Sequence, residues 1–219
     1  MSLTDNLLKP LESQKQLDSL RVRKTDKIDA EKLAMSQFIL NRKPSYVQEA
    51  LYQELRDLSR FYQNLTEDIV CAKNRLHKVL QITFPELENI LSAPTGEQYW
   101  NLVITFPCNS FVLESDDATL TAIIRQSTAK RISEKRVTYL VDKLTKLANQ
   151  SYCAVKKTSP VIEEVKYYAG ELLRLSEHRQ GVVEEMVTLA QSLPEYEILL
   201  SIPGIAETTA TSIIGELGD

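Results

Sequence analysis

The chain has 219 residues and a formal net charge of −4, and it is poor in glycine (6) and proline (8). This length permits one large domain or two small ones, and the abundance of Leu, Glu, Lys, Ala and Gln favours long helices over sheets. A negative total charge argues against a protein that coats nucleic acid along its whole length.

The cysteines and the hydropathy exclude several further classes. Cys71, Cys108 and Cys153 are scattered and form no C-x-x-C, so a disulfide framework and a zinc site are both excluded. No apolar run approaches the roughly 20 residues of a membrane span, and no signal peptide is present. We therefore expect a cytoplasmic protein with no membrane partner.

Charge is distributed unevenly along the chain. Residues 1–45 carry nine basic and six acidic side chains, and residues 125–157 carry nine basic and two acidic ones. The intervening segment 46–124 and the final segment 160–219 are acidic, with net charges of −6 and −8. This segregation predicts local nucleic-acid contact at two basic patches, although such runs are also typical of a solvated face.

The first notable motif is Lys24-Thr25-Asp26-Lys27-Ile28-Asp29-Ala30-Glu31-Lys32, at the start of a helical pattern. Residues three apart share a helix face, so Asp26 and Asp29 are expected to present their carboxylates together. Two converging carboxylates make half of a divalent-metal site for phosphate chemistry. The neighbouring Lys24, Lys27 and Lys32 are then placed to meet nucleic-acid phosphates. The alternative is a helix start that is merely capped and solvated.

Two long segments show apolar residues in alternating steps of three and four, which is a heptad pattern. The first arm, 46–84, has the seam Leu55, Leu58, Tyr62, Leu65, Ile69, Ala72, Leu76 and Val79. The second arm, 160–193, has the seam Val165, Tyr168, Leu172, Leu175, Arg179, Val182, Met186, Leu189 and Leu193. The pattern predicts an antiparallel coiled-coil hairpin that also contributes a dimer surface. It leaves open whether the arms pair within one chain or between chains, and a plain helical bundle is the alternative.

Residues 85–159 between the arms are expected to form a small helical tip. Helices are predicted at 99–106, after the cap Ser115-Asp116-Asp117, and from about Ser133 to Gln150. Basic side chains flank the last helix, and we predict nucleic-acid contacts for Lys130, Arg131, Lys135 and Arg136.

The final segment, 194–219, contains Ile202-Pro203-Gly204-Ile205-Ala206 and predicts a helix-hairpin-helix-like unit. Backbone amides at such a turn and at the following helix start can hold a DNA phosphate without reading sequence. Gly204, Ile205 and Ala206 are therefore candidate nucleic-acid contacts. The usual pattern has a second glycine where this chain has Ala206, and an ordinary helix–turn–helix corner is the alternative.

Three parts of the chain, taken in order, resemble the DEDD transposases of the Piv/MooV invertase group, the insertion-sequence-110 family. They are the T-D-K-I-D-A segment, the long helical middle and the I-P-G-I…I-I-G-E-L-G-D segment. The resemblance implies that Asp26 and Asp29 are the last two of four acidic ligands for Mg²⁺ or another divalent cation. The other two, and a serine nucleophile, are expected outside this chain, so 1–45 is interpreted as a remnant of a RuvC-like catalytic domain.

The resemblance further implies recombinases that cut and rejoin DNA, some of them directed by an element-encoded structured RNA. The sequence thus predicts an all-α, dimer-forming, nucleic-acid-binding part of a transposase that is inactive by itself. The alternative is a non-catalytic coiled-coil DNA-binding or scaffold protein in which Asp26 and Asp29 only cap a helix.

Overall fold

The computed structural model describes residues 50–218, and this part of the chain is all α, as predicted. Asp26, Asp29, Lys24 and Lys27 lie outside the described residues. Between residues 50 and 218, eight α-helices and one 3-10 helix follow in order: α1 Ala50–Thr83, the 3-10 helix Pro85–Asn89, α2 Glu97–Thr105, α3 Asn109–Leu113, α4 Asp117–Gln126, α5 Glu134–Gln150, α6 Pro160–Ala190, α7 Pro194–Leu200 and α8 Glu207–Leu217.

The long helices α1 and α6 pack against each other along much of their length. The Phe61 ring meets the His178 ring edge-on at 5.3 Å between centroids. Towards the end of α1, the Ile82 carbonyl accepts a hydrogen bond of 3.0 Å from the amide of Ala154, just before α6. The later residue of α1, Ile82, thus contacts the earlier residue of the second segment, Ala154, so the two helices run antiparallel. Packing of the coiled-coil type and a dimer surface stay predictions.

The buried face of α1 and α6 follows the predicted seam at most positions but not at all of them. Leu58, Tyr168 and Leu189 are only half-buried, whereas Ser59, Ala169 and Ala190 beside them are fully buried. Arg179, the one charged seam residue, is half-buried. The helix α6 ends at Ala190, three residues before the predicted end of the arm, because Leu193 and Pro194 start the next helix.

The tip, residues 85–159, is a set of short helices that pack mainly on α5 and α6. Helix α2 lies against α6, and α3 and α4 both lie against α5. Buried Asn109 links the start of α3 to the end of α5, since its Nδ2 donates to the carbonyls of Ala148 at 3.1 Å and Ser151 at 2.7 Å. The predicted caps are present: Asp116 accepts from the amide of Thr119, and Ser133 accepts from that of Arg136.

The last helix, α8, returns to the start of α1 and also contacts α6 and α7. Its Gly215 faces the α1 backbone so closely that an added Cβ would stand 2.9 Å from the amide nitrogen of Arg56. The first long helix therefore has the C-terminal unit at its beginning and the tip at its end. None of the helices between Ala50 and Gly218 combines the length and apolarity of a membrane span.

Candidate nucleic-acid interface

The loop between α4 and α5 carries the first candidate surface. Ser133 caps α5, and the amide of Lys130 donates to the Thr128 hydroxyl at 3.2 Å, so local polar bonds shape this loop. An open groove of about 630 Å³ follows the loop. The lining residues are Arg125, Thr128, Ala129, Lys130, Arg131, Ile132, Ser133 and Glu134.

Four cations of this region, Lys130, Arg131, Lys135 and Arg136, are all exposed, and we call them the basic cluster. Among the described residues none of the four has an acidic partner within ion-pair distance. Unpaired, exposed cations of this kind keep their charge available for phosphates. The sequence prediction for the basic cluster is thus compatible with the surface that the fold presents.

Two other cations of the basic segment, Arg125 and Lys157, are already paired with carboxylates. Arg125 pairs with Glu134 across the groove, and Lys157 pairs with Glu114. The hydrogen bond and charge of Arg125 lower the pKa of the Glu134 carboxyl below its usual range. The nine basic side chains counted in residues 125–157 therefore overstate the number of unpaired cations that this face offers to a ligand.

One aromatic residue of this face was not predicted from the sequence. Tyr139 of α5 is 50 % exposed, and the Arg136 guanidinium lies 5.2 Å from its ring centroid. The signal was available as the spacing Arg136, Tyr139, Lys143, which places two cations and an aromatic ring on one helix face. Residues that alternate basic and aromatic character in this way are typical of nucleic-acid contacts.

The C-terminal turn, residues 201–206, carries the second candidate surface. Gly204 has φ of 93°, a conformation that favours glycine, as the predicted tight turn requires. Ala206 stands at the N-cap of α8 and provides no capping side chain. The amides of Gly204 and Ala206 have no acceptor within the described residues, so this exposed turn can offer them to an anion.

The third amide predicted at this turn is not free. The Ile205 N–H donates to the Ile202 carbonyl at 3.1 Å and helps to close the turn. This amide already has an acceptor within the turn, and a nucleic-acid contact at Ile205 stays a prediction.

The structure does not bring the two candidate surfaces together. The C-terminal turn leads into α8, which packs on Leu55 and Arg56 near the start of α1. The loop of the basic cluster begins beside α2, where the Ser127 carbonyl accepts a hydrogen bond of 2.8 Å from Asn101 Nδ2. Trp100, next to Asn101, lines a cavity together with Ile69 and Lys73 of α1. The two surfaces therefore lie beside different parts of α1.

No group of three or more His, Cys, Asp or Glu side chains suited to a metal ion occurs between residues 50 and 218. The described part of the chain thus supplies no second candidate for a metal centre. The acidic pair Asp26 and Asp29 stays the proposed metal site, and its geometry lies outside the described residues.

Comparison with known protein families gives a match at the N-terminal end of the chain. The family model DEDD_Tnp_IS110, described as a transposase, matches residues 6–85. Over these residues the chain is similar to the transposases of this family. The matched transposase segment includes Asp26, Asp29, Lys24 and Lys27 and extends to the end of α1. Comparison with curated proteins and with solved structures gave no match.

Proposed function

We propose that the chain acts in a DNA transposase, a site-specific recombinase of a bacterial insertion sequence that cleaves and rejoins DNA strands. The observation that carries this proposal is the family match over residues 6–85. The match favours a recombinase over the alternative of a non-catalytic scaffold, since Asp26 and Asp29 fall inside the transposase segment.

In this function Asp26 and Asp29 hold a divalent cation, with Mg²⁺ the expected ion. Carboxylate oxygens are the ligands that Mg²⁺ prefers, and two of them leave positions for further ligands and for phosphate oxygens. A cation bound there would polarise the scissile phosphate and favour deprotonation of the attacking hydroxyl group. Because half of the acidic ligands come from elsewhere, residues 1–219 alone are expected not to cut DNA.

The described residues contribute nucleic-acid contacts in this proposal. The basic cluster at the tip meets backbone phosphates by charge, and the free amides of the C-terminal turn hold a phosphate by hydrogen bonds. Both kinds of contact position the nucleic acid without reading its bases. A homodimer through the long helices would place two such sets around one recombination site.

A recombination assay tests the catalytic part of this proposal. It uses a protein that joins residues 1–219 to the upstream acidic pair implied by the family. Asp26→Asn and Asp29→Asn keep the side-chain size but remove the negative charge that binds the cation, so recombination should fall to background. Asp18→Asn, eight residues before Asp26, is the matched control and should recombine normally.

The melting temperature of each variant checks that the loss is chemical and not a failure to fold. Normal recombination by either Asp26→Asn or Asp29→Asn would remove that residue from the metal site. Loss of recombination in the Asp18→Asn control as well would show that the assay responds to charge in general.

A further inference from the structure

An aromatic ring stands exposed among the cations of the tip. Tyr139 is 50 % exposed, while Val137 and Leu140 beside it on α5 are almost completely buried. The helix therefore turns its apolar face to the core and leaves this one large ring on its basic face. Such an exposed ring contributes little to folding, because little of its surface is removed from water.

Two cations lie over this ring. The Arg136 guanidinium carbon is 5.2 Å and the Lys143 ammonium nitrogen 5.9 Å from the ring centroid. Both distances fall within the range in which a cation is attracted to an aromatic face. Arg136, Tyr139 and Lys143 are spaced by three and four residues, and Lys146 continues the same face one turn later.

Lys143 and Lys146, like Arg136, form no ion pair with any residue between 50 and 218. The surface thus offers several uncompensated positive charges around one aromatic plane. Its complement is a molecule with closely spaced negative charges and a flat π-face between them. A nucleic-acid strand whose bases are unpaired has this combination, whereas a duplex hides its base faces in the stack.

We propose that Tyr139 stacks on an unpaired nucleobase while Arg136, Lys143 and Lys146 neutralise the adjacent phosphates. The ligand of the tip is then a single-stranded or looped segment of nucleic acid and not a plain duplex. This inference rests on the proposed nucleic-acid-binding function and names the form of nucleic acid that the tip takes. DNA and RNA share the required chemistry, so the test includes both.

Binding is measured for the full 219-residue chain with single-stranded oligonucleotides of about 12 nucleotides, a length that covers one single-strand binding site. One base is replaced by fluorescent 2-aminopurine, whose emission falls when an aromatic ring stacks on it. The set contains a DNA strand, the RNA strand of the same sequence, and the DNA duplex. The variants are Tyr139→Leu, which removes the ring, and Tyr139→Phe, which keeps it.

Tyr139→Leu should weaken single-strand binding about ten-fold and abolish the quenching, because the variant has no ring on which a base can stack. Tyr139→Phe should bind and quench like the wild type, and duplex affinity should stay the same in both variants. Tyr167→Leu is the matched control, since Tyr167 is also an exposed helical tyrosine, 64 % accessible on α6, outside the basic segment. The preferred ligand is the strand, DNA or RNA, whose binding Tyr139→Leu weakens more.

Failure of this inference is distinguishable from failure of the proposed function. If Tyr139→Leu binds single strands like the wild type, while Arg136→Gln and Lys143→Gln bind more weakly, the face meets phosphates but no base stacks on Tyr139. Weakening by Tyr139→Phe as much as by Tyr139→Leu would assign the contact to the hydroxyl group and also overturn the stack. If the wild type binds no nucleic acid, both the inference and the proposed nucleic-acid-binding function are wrong.

Discussion

Gly215 shows how a single residue fixes the position of the C-terminal unit. An added Cβ would stand 2.9 Å from the Arg56 nitrogen, 2.9 Å from the Leu55 carbonyl carbon and 3.0 Å from its oxygen. These atoms are the backbone of α1, so they cannot move aside like the end of a side chain. Arg56 adds hydrogen bonds from its Nε to the Gly215 carbonyl at 3.0 Å and from Nη2 to the Glu216 carbonyl at 3.1 Å. Glycine therefore permits a contact that also satisfies the carbonyls at the end of α8.

Replacing this glycine should separate the two helices. Gly215→Ala is expected to destabilise the fold by about 1–3 kcal/mol, because overpacking forces a shift of backbone against backbone. Urea denaturation followed by circular dichroism measures the change. Gly181→Ala is the matched control: it lies within α6 with nothing within 4 Å of an added Cβ, and should stabilise by up to about 1 kcal/mol. Changes of the same sign in both variants would contradict the close approach at Gly215.

At the scale of the element, the long helices show where a heptad pattern loses accuracy. The pattern selects large apolar residues in steps of three and four, and so it chose Leu58, Tyr168 and Leu189. The structure instead buries Ser59, Ala169 and Ala190 completely. A straight helix has 3.6 residues per turn, so its buried face drifts away from a strict 3.5-residue repeat. Small side chains are then buried where the backbones approach, and an apolarity count overlooks them.

Residues that the heptad pattern predicts to be buried, and that the structure buries, give the clearest test of the packing between α1 and α6. Leu65 is 5 % exposed on α1, and Leu172 of α6 is fully buried. Changing either to Asp should cost several kcal/mol, roughly 3–5, since it places a carboxylate in an apolar contact. Val70→Asp is the control on the same helix, because Val70 is 52 % exposed and should change stability by less than about 0.5 kcal/mol.

Thermal melting and light scattering after size exclusion measure stability and oligomeric state together. A loss of dimer in Leu65→Asp with an unchanged melting temperature would place this seam between chains. If neither substitution alters either property, the predicted pairing of the arms is wrong.

Local signals predicted α2, α4 and α5 of the tip, because a helix start depends on a few neighbouring residues, but the 3-10 helix and α3 were not predicted. The caps at Asp116 and Ser133 could be read from the sequence directly. The contact of Arg56 with Gly215 could not be predicted, since 159 residues separate the partners and no pattern in either segment indicates which residue it contacts. For the same reason, the sequence predicted the basic cluster and the turn at Gly204 but not the distance between them. The engagement of the Ile205 amide also became visible only once the turn was folded.

For the whole molecule, the separation of the two candidate surfaces determines how they can act. The loop of the basic cluster is bonded to α2 beside the middle of α1, whereas the C-terminal turn leads into α8, which packs near the start of α1. Helix α6 carries six acidic and three basic side chains and repels phosphate backbones, so contact with nucleic acid is expected at the two candidate surfaces and not along α6. We therefore expect the two surfaces to hold separate stretches of nucleic acid and to contribute independently to binding.

Independence has a measurable consequence in the salt dependence of single-strand binding. Lys130→Gln, Arg131→Gln, Lys135→Gln and Arg136→Gln together should weaken binding to many sequences alike. The slope of log affinity against log salt should flatten by about 0.7 for each phosphate of the single strand that the variant no longer neutralises. Replacing the paired cations by Lys166→Gln and Arg174→Gln is the control, because Glu163 and Glu171 already neutralise them.

Gly204→Val acts at the C-terminal turn. Gly204 has φ of 93° with open space around an added Cβ, so the substitution strains the turn by about 1–2 kcal/mol without a steric clash. A β-branched side chain there also obstructs the approach of a phosphate to the free amides, so binding should weaken.

When both changes are combined, the reductions in binding free energy should add within about 0.5 kcal/mol, because distant sites without shared partners are independent. A combined reduction clearly smaller than the sum would mean that both surfaces serve one binding site. Equal affinities and slopes in all variants would show that nucleic acid binds elsewhere.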